Sequence, residues 1–278
     1  MCIRDSPSTK PKWLKFVHTP DYPFWKEKVE NALSLIDRGI LKKVVLARMT
    51  ISQDELPLIM NIPNGPGVHF AISLDENHVF FGNTPETLFQ RKGNLLFTEA
   101  VAGTRIKNAN SKEFLANPKE RNEFFFVRNT IIEKLSSLSS KISYEQEPKI
   151  KKTATLQHLW SPIQATLSEK ISDEFLVNLL HPTPAVGGLP SELALDFIYS
   201  NEPFDRGLYA APIGIQQKEF SHFIVAIRSS LFKENKLHSF SGTGIVKDSN
   251  SYSEWVELNN KIRFFKEFEN YSDLTLKS

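Results

Sequence analysis

The chain has 278 residues, 40% of them hydrophobic, and its 34 basic and 32 acidic side chains nearly cancel to a net charge of +2. That is enough apolar material for one sizeable core, and no run of one sign marks a nucleic-acid or membrane-surface binder. No apolar stretch nears the ~20 residues that span a bilayer. The single cysteine, Cys2, excludes an internal disulfide framework or a cysteine-based zinc site, and a reducing, cytoplasmic setting is the expectation.

Residues 1–6 (MCIRDS) read as an adapter-derived scar, which leaves 7–278 as a single domain expected to lack N-terminal residues. The first helix is predicted over Tyr22–Arg38, with Asp21 as cap, Pro23 in the first turn and Gly39 as stop; Val29, Leu33 and Ile36 form its stripe. The run 43–48 reads as a strand buried on both faces. Strands follow at Val68–Leu74 and His78–Phe81, and a hairpin joins Thr87–Arg91 to Leu95–Thr98. A long helix is predicted over Pro118–Leu138. The second half predicts a strand over Thr153–Leu159, helices over Asp173–Leu180 and Ser191–Tyr199, and strands at Ile213–Gln216, Phe220–Phe232 and Leu237–Ser241. A helix over Ser253–Asn270 closes the fold, and the tail from Ser272 is expected to fray. The irregular order argues against a doubly wound sheet or (β/α)₈ barrel and for one α+β domain with a large sheet component.

Chemistry-bearing residues cluster in a few segments. Glu254, Glu257 and Lys261 share one face of the closing helix, and Glu120 and Glu123 are three apart near the start of the long helix. Two readings stand: a solvated face for the closing helix and charge complementing the helix dipole for Glu120 and Glu123, or oxygen ligands for a hard cation such as Mg²⁺. Lys43 opens the buried strand, where desolvation suits a lysine to act as a base, unless the strand end is exposed. Glu86 is either an early-turn glutamate or an acid. Arg228 ends the apolar run 223–227 and needs an anionic partner from protein or ligand. The stiff loop 181–190 either connects helices or approaches a ligand. No P-loop, dinucleotide fingerprint or histidine cluster is present.

Ten ordered segments together resemble the chorismate-binding enzymes: KKVVLAR (42–48), NTPETLF (83–89), AVAGTR (100–105), NPKERNEF (117–124), LQHL (156–159), HPTPAVGGLP (181–190), EPFDRGLYAAPIG (202–214), VAIRSS (225–230), SGTGIV (241–246) and SEWVELNNKI (253–262). The resemblance implies an α/β sandwich of two large, mostly antiparallel sheets flanked by helices, with the active site in the cleft between them. It implies Mg²⁺ bound by Glu123 and Glu257, with Glu120 and Glu254 holding metal-bound water. Lys43 then matches the base that activates water for attack at C2 of chorismate, and Glu86 the acid for the departing C4 hydroxyl. Tyr209 and Arg228 match binders of the enolpyruvyl carboxylate. Gly242 offers a backbone N–H, Lys261 supports the metal-carboxylate end, and Thr104, His158, Thr183 and Ala185 line the pocket.

Within the family, Lys43 accompanies water as nucleophile, and HPTPAVGGLP is most similar to isochorismate synthases of the menaquinone type. The implied activity is isomerisation of chorismate to isochorismate, feeding menaquinone, siderophore or salicylate biosynthesis, with no obligate protein partner. Salicylate synthase, the amine-using anthranilate and aminodeoxychorismate branches, and an inactive truncated chorismate-binding fragment are the alternatives. The chain departs from the family pattern at Phe124, Ala211, Ser241, Thr243 and 258–260.

Overall fold

The computed structural model describes residues 16–53, 67–152, 156–168 and 171–262. The adapter-like residues 1–6, the expected strand start at 153–155, the end of the closing helix at 263–270 and the tail from Ser272 lie outside the described residues.

Strand β2 (Lys43–Gln53) shows why the molecule is layered. Its side chains alternate. Val44 and Leu46 pack into a cluster with Trp25, Val29, Ala194, Ile198 and Leu258, whereas Ala47 belongs to a second, larger cluster. A strand buried on both faces needs a layer on each side. Helices α1 (Tyr22–Asp37), α5 (Ser191–Asn201) and α6 (251–262) cover one face, and the other turns toward a second sheet.

The first sheet runs β1 (Val17–Thr19), β2, β14 (Lys236–Ile245), β13 (Ser229–Lys233), β4 (Val79–Thr84), β3 (Val68–Ser73), with β10 (Gly188–Leu189) also on β2. The second runs β11 (Pro212–Gln216), β12 (Phe220–Val225), β5 (Thr87–Lys92), β6 (Leu95–Ile106), β9 (Leu156–Leu167), β7 (Ser139–Tyr144), with β8 (Lys149–Lys152) also on β9. Every described pairing is antiparallel. Helix α3 (Pro118–Ser136) seats Phe124, Val127, Ile131 and Leu135 against Leu96, Leu159 and Ile163 of the second sheet. Helices α2 (Ser111–Ala116) and α4 (Asp173–Leu180) complete the described elements.

Two ribbons pass from one sheet into the other. β4 ends at Thr84 and β5 begins at Thr87, so Pro85 and Glu86 alone span the gap. β12 ends at Val225 and β13 begins at Ser229, so Ala226, Ile227 and Arg228 span the second gap. The ribbons stay in contact through both bends. Thr84 Oγ1 donates to Val225 O at 2.7 Å, Val225 N to Glu86 O at 3.1 Å and Asn83 N to Arg228 O at 3.2 Å.

The single strand expected over Phe220–Phe232 is therefore two strands in different sheets. A pleated ribbon cannot pair with β5 and then β4 without turning, and Arg228 takes the turn at φ 53°. Other strands outrun their expected ends: β2 reaches Gln53, β6 Ile106 and β14 Ile245. β7, β8 and α2 were not anticipated. Their sequences (SSKISY, KIKK, SKEFLA) are polar and partly exposed, so they carry little hydrophobic period. Among the described residues no helix is long and apolar enough to cross a membrane.

Candidate active site

Lys43 is fully buried at the head of β2, while its neighbour Lys42 is exposed, as strand alternation requires. Its Nζ donates to Glu123 Oε1 at 2.9 Å. The space for this pair comes from Gly244 on β14. A Cβ there would lie 2.5 Å from Glu123 Oε1 and 2.7 Å from Lys43 Cε.

Glu86, in the first inter-sheet link, is 5% exposed and accepts from Thr183 Oγ1 at 3.2 Å. Thr183 Oγ1 also accepts from Ala185 N at 3.2 Å, which ties the 181–190 loop to this carboxyl. Burial, reinforced by the charge of Glu99, pushes Glu86 up to about 7; Thr183, Lys43 and Lys151 pull the other way. A carboxyl so placed holds a proton near neutrality.

Arg228, in the second link, is depressed to about 10 by burial, and among the described residues no carboxylate pairs with it. Its Nη2 faces His158 Nε2 at 3.5 Å. His158 is held well below its ordinary range by burial and by Arg228, so the ring is neutral. Nδ1 donates to Gly103 O at 3.0 Å and sits 3.2 Å from Thr104 Oγ1, which leaves the Nε2 lone pair toward Arg228. Tyr209 stacks on Phe240 with centroids 5.2 Å apart, and burial raises its hydroxyl to about 12. It remains a neutral donor. Gly242 makes room for it: a Cβ there would lie 2.7 Å from the Tyr209 hydroxyl.

The helix carboxylates close the other end. Their face is not solvated: Glu254 is 1% exposed and Glu120 7%. Lys119 Nζ lies 2.5 Å from Glu254 Oε1, Lys261 Nζ 2.6 Å from Glu257 Oε1 and Arg105 Nε 3.5 Å from Glu120 Oε1. Thr243 Oγ1 lies 2.6 Å from Glu254 Oε2 and 3.0 Å from Glu257 Oε1, spanning both. Lys261 also donates to Gly242 O at 2.8 Å. Burial and the neighbouring Glu123 and Glu257 push Glu120 up to about 7. Burial and Glu257 raise Glu254, whereas the partly exposed Glu257 is held below its ordinary range by Lys261 and Lys119.

Glu86, Thr104, Glu123, His158, Ala185, Tyr209, Arg228, Gly242 and Lys261 line one cleft between the sheets. Each remaining residue singled out from sequence touches that lining. Thr183 binds Glu86, Lys43 binds Glu123, and Glu254 and Glu257 bind the lining Thr243. Glu120 presses on Gly103, where a Cβ would lie 2.7 Å from Glu120 Oε2. Among the described residues no three acidic, histidine or cysteine side chains form a ready-made metal cage. Mg²⁺ does not require one, since it takes one or two carboxylates with water and substrate. All-oxygen donors and like charges crowded beneath glycines fit such an ion.

Sequence reasoning missed three members of this end. Lys119 was noted only within NPKERNEF, and Arg105 only as the end of AVAGTR. Thr243 stood out as a departure from the family, but its period-2 spacing from Ser241 could not reveal that it faces α6.

Comparison with known proteins places this geometry. A family model described as "Chorismate binding enzyme" matches residues 3–268. The chain belongs to the chorismate-binding enzyme family. Within that family it is similar to isochorismate synthase 2, chloroplastic, of Arabidopsis thaliana, 37% identical over 92% of this chain and 49% of the relative. It is also similar to isochorismate synthase MenF of Escherichia coli, 33% identical over 88% of this chain and 59% of the relative. The solved structure of MenF, the menaquinone-specific isochorismate synthase from Escherichia coli, matches with a TM-score of 0.83 at 30% identity, covering 96% of this chain and 65% of that chain. Both sheets and the flanking helices thus follow the family fold. The chain spans about half to three-fifths of the length of these curated relatives.

Proposed function

We propose that this chain carries the catalytic core of an isochorismate synthase, which converts chorismate to isochorismate. The observation that carries the proposal is the meeting around one cleft of a buried lysine, Lys43, a buried carboxyl poised near neutrality, Glu86, and a buried arginine, Arg228, with which no carboxylate pairs among the described residues.

Chorismate carries two carboxylates and a departing hydroxyl. Arg228, desolvated and unpaired, holds the enolpyruvyl carboxylate, and the neutral Tyr209 hydroxyl donates to it. Lys43 takes a proton from water as its oxygen bonds to C2. Glu86 gives a proton to the C4 hydroxyl, which leaves as water, so one water enters and one departs. Neutral His158 orients Arg228, and Thr183 steers Glu86. Glu123 and Glu257 hold Mg²⁺ with help from Glu120 and Glu254. When bound, the ion neutralises the ring carboxylate and polarises that end of the substrate. Lys261 fixes Glu257 against the Gly242 carbonyl. A single cysteine suits a reducing, cytoplasmic setting for this chemistry.

The test is product analysis after incubation with chorismate, in Mg²⁺ and then in EDTA. Isochorismate formed only with Mg²⁺ supports the proposal. Salicylate with pyruvate moves the chain to the synthase-lyase branch, and anthranilate formed with ammonia removes water as the nucleophile.

A further inference from the structure

Flanking Glu86 lies an ion pair that the proposed chemistry does not use. Lys151 on β8 donates to Glu99 Oε1 at 2.9 Å and Glu99 Oε2 at 2.7 Å. The same ammonium donates to Pro85 O at 2.6 Å. Glu99 Oε1 also accepts from Thr87 N at 2.9 Å, and Glu99 Oε2 from Trp160 Nε1 at 2.5 Å. The pair therefore grips the carbonyl before Glu86 and the amide after it, across a link of only two residues. Glu99 is 12% exposed and its oxygens hold donors on both sides.

We propose that Glu99, held by Lys151, is the positioning residue for Glu86: Glu99 fixes the amide after it, Lys151 fixes the carbonyl before it, and the carboxylate of Glu99 sets a negative charge near the Glu86 carboxyl. This inference rests on the reading of Glu86 as the acid only for its consequence in turnover. The geometry stands without it. Other groups face Glu86 too. Thr183 donates to it, the charges of Lys43, Glu99 and Lys151 act on it, and its own charge acts on Tyr209. His158 and Arg228 line the same cleft. Of these, Glu99 contributes the largest push after burial toward the protonated form.

The pair makes opposite predictions for its two members. Glu99→Gln keeps the length and an acceptor for Thr87 N but removes the charge, so Glu86 should titrate at lower pH. Lys151→Met leaves the Glu99 charge unopposed, so Glu86 should titrate at higher pH. The direct readout is carbon-13 NMR titration of glutamate-labelled protein, with the Glu86 resonance assigned by its loss in Glu86→Gln. This needs no turnover. In turnover, the basic limb of the kcat profile should follow the same two directions while KM for chorismate holds. A purely structural pair would alter stability and leave the Glu86 titration in place. That result in both variants, or shifts of the same sign, overturns the inference; if one variant does not fold, the other decides by its sign. If Glu86→Gln turns over at the wild-type rate, the acid assignment fails and the NMR titration still decides the role of Glu99.

Discussion

The two ends of the cleft use the same residue in opposite ways. Glu86 stands apart from any directly bonded cation, so burial dominates and its carboxyl is lifted to about 7. Glu257 is partly exposed, and Lys261 at 2.6 Å with the nearby Lys119 holds it below its ordinary range. Both exposure and neighbours differ. A carboxyl with a hydroxyl for company becomes a proton donor, and a carboxyl with ammonium partners becomes a fixed anion able to exchange those partners for a metal. A cation alone does not decide the direction: Glu120, with Arg105 at 3.5 Å, rises to about 7, and Glu254 is raised even with Lys119 at 2.5 Å, because burial and the charge of Glu257 outweigh that partner.

The contrast can be broken from either end. The largest effect is expected from Lys43→Met, which removes the base and leaves Glu123 without its hydrogen-bond donor; kcat for isochorismate should fall by roughly 10³–10⁴. Retention of activity would remove Lys43 from the mechanism. Glu86→Gln should lower kcat by about 10²–10³ with KM nearly unchanged and abolish the basic limb of the profile. In the unaltered chain that limb should fall as pH rises through about 7, because the protonated carboxyl is the active form. Thr243→Val touches only the metal end. It should raise the Mg²⁺ concentration for half-activity by about 10–100-fold and leave the pH limb in place, in keeping with the usual weight of outer hydrogen bonds at metal sites. The smallest effect is on stability. Glu86 titrates higher folded than unfolded, so the folded state binds the extra proton between about pH 4.5 and 7, and stability should decline across that window by up to about 3 kcal/mol. Urea denaturation without Mg²⁺ should show the slope, and Glu86→Gln should reduce it, the raised Glu120 supplying part of the remainder.

Much of this was legible from sequence where local pattern decides. The Asp21 cap, the Pro118 start of α3 and the double-sided burial of β2 follow from side-chain chemistry within a few residues. The site residues were named by resemblance over ordered segments; the fold puts nine of them in the lining of one cleft and the other five against that lining. What stayed hidden depends on distant contacts. Spacing put Glu254 and Glu257 on one face of α6 but could not say that the face turns inward, because that helix buries Leu258 as well. The break at Arg228 was invisible inside an apolar run. Its cause is β4, more than 140 positions earlier in the chain. The Glu99–Lys151 pair joins strands 52 positions apart, and neither residue carries a local signal.

The two inter-sheet links also bear on how such a chain tolerates changes of length. Glu86 and Arg228 sit at corners of two and three residues, with pairing resumed immediately on either side. One residue inserted at either corner would slip a ribbon by one position and reverse the facing of every side chain beyond it. The far ends of the same ribbons are open turns, at Gly93 and at Glu234-Asn235, where added residues would project into solvent. Insertions should therefore be accepted at those tips and rejected at the corners, and the width of the cleft is set by chain length rather than by side-chain packing.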